Sequence, residues 1–164
     1  MQRRSSEKAD FPSLFDITAA RHINTGESDR NVINQIDNEL GVSVSFEDVV
    51  YLGVRQYAEK RGTFYNREFN SVYLYNSPYA LSDYNFQPAE VSGILKIPAD
   101  DGLSLFSGKT AEIAVVGCLN ENGKKSISKM NITAEDYVPR VDDYYRKIFI
   151  LTKDYFSGIS PLTM

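Results

Sequence analysis

Residues 111–133, AEIAVVGCLNENGKKSISKMNIT, form two strand-like stretches on either side of the dipeptide Asn122-Gly123. The first stretch is rich in Val, Ile and Ala, and the second alternates between polar and apolar residues. Asn-Gly is favoured in two-residue hairpin turns because both residues tolerate positive φ. The sequence therefore predicts strands over about 111–119 and 126–133, joined as an antiparallel hairpin.

Further strand-like runs occur on the C-terminal side of residue 66, where Val, Ile, Tyr and Phe cluster between Gly, Pro, Asn and Asp. The turn dipeptide Asp101-Gly102 predicts a second hairpin. In IFIL, residues 148–151, apolar side chains fall on both faces of an extended chain, which is typical of a central strand. These runs predict four more strands, near residues 69–75, 91–97, 103–106 and 145–152.

Helical periodicity dominates the N-terminal side of the chain. Apolar residues at positions 32, 33, 36 and 40, followed by Gly41, predict a helix over about 29–40. Ser45 opens a capping-box pattern, and the apolar residues after it recur at intervals of three and four, which predicts a helix over 46–61 with Val54 buried. The segment from residue 12 to about 22 has a weaker helical pattern.

Together these elements predict an α+β fold, with N-terminal helices followed by a mostly antiparallel β-sheet of about five or six strands. The chain has 164 residues, of which 42% are hydrophobic and 24% charged, and this composition is typical of a folded globular protein. We expect a single domain over residues 1–164, with a helical part over about 12–62 and a β-rich part over about 69–156.

Few residues of the chain suggest catalysis or metal binding. His22 is the only histidine and Cys118 the only cysteine, so the sequence predicts neither a zinc site nor a disulfide. A Ser-His-Asp triad would rest on His22 alone. The acidic pairs Asp100-Asp101, Glu135-Asp136 and Asp142-Asp143 fall in predicted loops, where solvated charge is the usual role. We therefore expect no catalytic residues, no metal, no cofactor and no enzymatic activity.

The sequence also bears on where the protein resides. The first thirty residues lack an apolar stretch of signal-peptide length, and no run of eighteen apolar residues occurs anywhere in the chain. We expect an intracellular or virion protein that is neither secreted by a signal peptide nor inserted in a membrane.

Aromatic residues are concentrated in YLYNSPYALSDYNF, residues 73–86. Tyrosine combines an apolar ring with a polar hydroxyl group and is enriched where proteins meet other proteins. The segment would either cover the core as a lid or bind a partner. We predict partner binding, through the side chains of Tyr73, Tyr75, Tyr79, Tyr84 and Phe86.

These observations favour a non-enzymatic structural subunit of a larger protein assembly, such as a virion or a phage head or tail. Its partners would be other protein subunits, either copies of itself or other components of the assembly. The alternative is a nucleic-acid-binding module that uses aromatic and Lys/Arg residues of its sheet. The net charge of −4 does not favour nucleic acid as a partner. A small enzyme with a carboxylate-based site is a third possibility that the sequence leaves open.

Overall fold

The computed structural model describes residues 1–33, 36–121 and 123–164. It confirms the α+β class and the mostly antiparallel sheet. The strands are β1 (Gln2–Arg4), β2 (Phe15–Asp16), β3 (Val49–Arg61), β4 (Phe64–Tyr75), β5 (Val91–Lys96), β6 (Glu112–Glu121) and β7 (Lys124–Thr133). Five of them form the main sheet in the order β2-β1-β5-β6-β7, and β3 and β4 form a separate two-stranded ribbon.

The hairpin predicted over residues 111–133 is confirmed. Strands β6 and β7 pair antiparallel along their whole length, up to the pair Glu121 and Lys124. Gly123 in the turn has φ +80°, the left-handed conformation for which glycine is favoured. Asn122, the other residue of the predicted turn, lies outside the described residues. The strand predicted at 91–97 is also present, as β5.

The helix predicted over 46–61 is wrong, because these residues form one 3₁₀ turn, Phe46–Asp48, followed by strand β3. The strand has a bulge between Tyr51 and Gly53, and Gly53 adopts φ +125°. A bulge adds one residue to a strand, so the core-facing positions change from a spacing of two to a spacing of three. The combination of spacings of two and three imitates the spacing of apolar residues in a helix. Val54, which was expected to be buried, is 46% exposed.

The N-terminal helices are shorter than predicted. Helices α1 (Asp29–Ile33) and α2 (Ile36–Leu40) occupy the ends of the predicted helix over 29–40, and residues 34 and 35 between them lie outside the described residues. Gly41 follows α2 with φ +64°, as expected of the residue that ends a helix. The segment 12–22 is not a helix and contributes β2 instead.

Two strands predicted in the C-terminal half, 103–106 and 145–152, are helices. Helix α3 (Ala99–Phe106) includes Gly102, so the predicted Asp101-Gly102 hairpin is wrong. A Cβ atom at Gly102 would lie 2.3 Å from the ring of Phe149, which shows how closely α3 packs on helix α4 (Tyr144–Phe156). The apolar residues of IFIL suit a helix equally well, because a short apolar run has no decisive period. None of the described helices is long and apolar enough to cross a membrane.

Candidate functional site

Two glutamates from distant parts of the sequence meet beside helix α2. Glu39 lies in the last turn of α2, and Glu90 immediately precedes β5. The backbone brings these two segments together. The N–H of Asn85 donates to the carbonyl of Leu40, and the N–H of Gln87 donates to the carbonyl of Glu39, both over 2.9 Å. The carbonyl of Glu90 also accepts from the N–H of Ser5, 3.0 Å away, so the N-terminal segment contributes to the same place.

Gly41 makes this arrangement possible. Its left-handed conformation turns the chain at the end of α2, and a Cβ atom there would lie only 2.4 Å from the carbonyl oxygen of Asn85. Any larger residue would push away the segment that carries Glu90.

Gly41→Ala is therefore expected to lower the free energy of unfolding by about 2–3 kcal/mol, from backbone strain together with the clash against Asn85. Gly62→Ala is the matched control, because Gly62 has φ +58° and no atom within 4 Å of an added Cβ. The control isolates the backbone strain and should cost about 1 kcal/mol. Urea denaturation of both variants measures the difference, and equal losses would show that the contact between Gly41 and Asn85 contributes nothing.

The surroundings of Glu39 favour its protonated form. Burial raises the pKa of Glu39, and the negative charge on Glu90 raises this pKa further. The positive charges of Lys8 and Arg21 lower the pKa of Glu39 and so oppose both effects. By contrast, hydrogen bonds from Arg55 lower the pKa of Asp142, which lies elsewhere on the chain.

Two cations share the site with the glutamates. The ammonium group of Lys8 donates to Oε2 of Glu90. Arg21 lies 3.6 Å from a carboxylate oxygen of Glu27 and is close enough to influence Glu39. The candidate site therefore consists of the carboxyl groups of Glu39 and Glu90, with Lys8 and Arg21 beside them.

This arrangement can transfer protons. A carboxyl group works best as a general acid or base when its pKa lies near the working pH, and burial beside a like charge is how proteins raise a glutamate pKa. A carboxyl group whose pKa is shifted by burial and by a specific charged neighbour is a candidate functional group. Within the described residues, no three His, Cys, Asp or Glu side chains come together as metal ligands. Glu39 and Glu90 are the two oxygen-donor side chains of the candidate site.

The raised pKa of Glu39 implies that the stability of the protein depends on pH. Because the pKa of Glu39 in the folded state lies above its ordinary value of 4.5, the folded protein binds more protons than the unfolded chain just above pH 4.5. Stability therefore falls as the pH rises through this interval, and the ionised carboxylate destabilises the folded state at neutral pH. Glu39→Gln is expected to raise Tm near neutral pH and to change it little below pH 4.5. Thermal denaturation of the variant and the wild type near neutral pH and below pH 4.5 measures this. An equal difference in Tm between the two proteins at both pH values would refute the raised pKa.

A second charged cluster is buried between β2 and α4. Arg140 Nη2 donates to both carboxylate oxygens of Asp16, over 2.6 and 2.8 Å, and the hydroxyl of Tyr145 donates to Asp16 over 2.8 Å. Asp16 is 4% exposed. Burial raises the pKa of Tyr145, and the charge on Asp16 raises it further. Asp16 accepts from both Arg140 and Tyr145, so we interpret the cluster as a structural ion pair, in which Arg140 Nε is buried without a hydrogen-bond partner.

The five residues predicted to bind partners lie together, and they make several contacts within the chain. Tyr84 and Phe86 are buried in the core cluster that includes Leu40, and Tyr73 donates a hydrogen bond to Asp29. The hydroxyl of Tyr79 donates to the carbonyl of Ser43 over 3.1 Å. Tyr75 packs against the same core cluster. Partner binding by these side chains stays a prediction.

The residues that sequence reasoning considered for catalysis lie elsewhere. His22 is exposed, and Cys118 is buried within β6. The acidic pairs recognisable in the sequence are neighbours in the chain, whereas Glu39 and Glu90 come from α2 and from the segment before β5. The one sequence signal near the site was Gly41, which was interpreted only as the end of a helix.

Comparison with known proteins gives two relatives. A protein of Clostridium acetobutylicum named an uncharacterized Nudix hydrolase is 27% identical over 156 residues, which cover 94% of this chain and 76% of the relative. Nudix hydrolase 3 of Arabidopsis thaliana is 28% identical over 130 residues, which cover 76% of this chain and 17% of that larger protein. No family model matches the chain, and no solved structure matches it.

These relatives overturn the function expected from the sequence. Both are named as hydrolases, and one aligns with nearly the whole chain. The expectation of a non-enzymatic structural subunit of a virion or other assembly is therefore wrong, as is the expectation that the protein is not an enzyme. That expectation rested on the histidine, the cysteine and the acids adjacent in sequence, and none of these forms the candidate site.

Proposed function

We propose that this protein is a hydrolase that uses Glu39 and Glu90 for proton transfer. The observation that carries the proposal is the similarity to the Clostridium acetobutylicum protein, named a Nudix hydrolase, over 94% of this chain. The raised pKa of Glu39 beside a second carboxylate supports the same conclusion, because hydrolysis needs a group that can both accept and donate a proton.

In this proposal Glu39 is the general acid–base group. Its partly buried carboxyl group accepts a proton from the attacking water or donates one to the leaving group. Glu90 maintains the raised pKa of Glu39 through its negative charge, and Lys8 fixes the position of Glu90 by their ion pair. Arg21 is close enough to act on the pKa of Glu39 and offers a positive charge to substrate groups that become negative during the reaction.

The test is a screen of the purified protein against four classes of hydrolysable bond: carboxylic esters, phosphate esters, phosphate anhydrides and glycosides. A mock preparation from the same host without the protein controls for contaminating hydrolases. We expect one class to be hydrolysed at a rate well above the mock preparation. Rates equal to the mock preparation for all four classes would contradict the proposal.

A further inference from the structure

The β3–β4 ribbon presents one face that no described part of the chain covers at its centre. Strand pairing places Val54 opposite Ser71, Gln56 opposite Phe69, and Lys60 opposite Tyr65. Because side chains alternate between the two faces of a strand, these residues share a side, opposite the buried Leu52 and Val72. We call this side the outer face of the ribbon; it comprises Tyr51, Val54, Gln56, Ala58, Lys60, Tyr65, Arg67, Phe69, Ser71 and Tyr73.

Large apolar side chains on this outer face are exposed to an unusual degree. Phe69 is 78% exposed, Tyr65 is 60%, Tyr51 is 52% and Val54 is 46%. Scattered exposed apolar residues are common, but a contiguous apolar patch usually marks an interaction site. Here the four side chains follow one another along a single pair of strands, with Phe69 and Val54 near the middle.

Basic residues lie on the outer face near one of its ends, and acidic residues border the face at its other end. Near the tip of the ribbon lie Lys60, whose ammonium is 5.0 Å from the centre of the Tyr65 ring, and Arg67. The outer face itself carries no acidic residue. At the other end, the hydroxyl of Tyr73 donates to Asp29, and the centre of the Phe46 ring lies 5.9 Å from that of Tyr73. Glu47 and Asp48 follow Phe46 in sequence, and Glu47 forms an ion pair with Arg30, so acids outnumber bases at this end.

We propose that the outer face of the ribbon binds the outer face of a second copy of this chain, forming an antiparallel two-fold dimer. A two-fold axis near Val54 and Phe69 would stack the exposed apolar side chains of both copies. It would also place the basic tip of each copy towards the acidic end of the other, since Lys60 lies about 13 Å from Gln56 along the strand, and Tyr51 lies up to about 10 Å from Val54 in the opposite direction, with Asp29 beyond it. A surface with an apolar centre and opposite charges at its ends is complementary to itself.

The available area is sufficient for such a dimer. An aromatic side chain buries roughly 150–250 Å², so the exposed parts of the three aromatic rings and Val54 amount to roughly 450 Å² per copy. A stable interface needs about 800 Å² from each partner. Other exposed residues on the same face supply the remainder; these are Gln56, Ala58, Lys60, Arg67 and Ser71.

Two variants of matched chemistry test which face is used. Phe69→Ser removes the central aromatic ring of the outer face and should raise the dimer Kd at least about tenfold. Phe64→Ser is the control, because Phe64 is 61% exposed at the tip of the same ribbon but lies on the opposite face, and it should leave the Kd unchanged. Sedimentation equilibrium over a range of protein concentrations measures both. Tyr65→Ser repeats the test at a second position of the outer face.

Charge reversal tests the antiparallel arrangement. A tip variant, Lys60→Glu with Arg67→Glu, and a base variant, Asp29→Lys with Glu47→Lys, should each dimerise more weakly than the wild type because like charges then face each other. A mixture of the two variants pairs opposite charges at both ends, so the mixture should recover dimers. Circular dichroism confirms that each variant is folded.

A wild type that stays monomeric at high protein concentration would overturn the proposal. An equal increase in the dimer Kd of Phe69→Ser and of Phe64→Ser would also overturn it. So would a mixture of the two charge variants that forms no more dimer than either variant alone. This inference is independent of the proposed hydrolysis, and activity is not among its measurements.

Discussion

Replacing Asp16 by Ala is expected to lower the free energy of unfolding by about 3–5 kcal/mol, the largest stability loss that the structure predicts from a single substitution. Asp16 is 4% exposed and accepts hydrogen bonds from Arg140 and from the hydroxyl of Tyr145. Its removal would leave the Arg140 guanidinium, which lies in a largely buried position, without a counter-charge. Breaking one side of a buried ion pair costs far more than the pair contributes as a whole. Urea denaturation at constant pH measures the loss.

The double variant Asp16→Leu with Arg140→Met separates charge from packing. It removes both charges and retains apolar volume, and the hydroxyl of Tyr145 still has the carbonyl of Val138 as an acceptor, 3.1 Å away. Paired replacement of this kind is often neutral or stabilising. We therefore expect the double variant to be more stable than Asp16→Ala. A double variant as unstable as the single one would show that shape, and not charge compensation, determines stability at this position.

Glu39→Gln is expected to reduce the rate of hydrolysis by a factor of about 10² to 10⁴, the usual contribution of a general acid–base group. The substitution keeps the size of the side chain and removes its ability to exchange a proton. Because ionised Glu39 destabilises the folded state near neutral pH, the variant should lose activity without losing stability. Steady-state kinetics with the best substrate of the four classes, together with Tm, measures both effects.

Glu112→Gln is the control for this variant. Glu112 lies on β6, where one carboxylate oxygen accepts from the side-chain amide of Asn131, 3.3 Å away. It is exposed and takes no part in the proposed site, so its replacement should leave the rate unchanged. Similar rates in Glu39→Gln and the wild type would remove Glu39 from the reaction.

Much of the main sheet could be predicted from sequence, because its signals are local. The turn at residues 122–123 and the flanking strand-forming residues specified β6 and β7. In the ribbon, the strand predicted near 69–75 is present as part of β4. Strand β3 was missed for a physical reason: the bulge at Gly53 changes the spacing of inward-facing residues and imitates a helix. Helix α4 was missed because burial on several sides makes a short apolar run look the same in a strand and in a helix.

The candidate site could not be predicted because it is formed by tertiary contacts. Glu39 and Glu90 come together through backbone hydrogen bonds between the end of α2 and residues 85–87. Neither the burial of Glu39 nor its proximity to Glu90 can be recognised from the sequence around either residue. Gly41 was recognisable as the end of a helix, but its close approach to Asn85 is visible only in the folded chain.

The assignment of Glu39 is tested most directly by the pH dependence of kcat/KM for the wild type and for Glu90→Gln. This ratio reports the pKa of essential groups in the free enzyme. In the wild type we expect a limb with an apparent pKa above 4.5, because burial and the charge on Glu90 both raise the pKa of Glu39. The residual activity of Glu90→Gln should show the same limb of the pH profile at lower pH, because the negative charge of Glu90 no longer raises the pKa of Glu39. A limb at the same pH in both proteins would contradict the account.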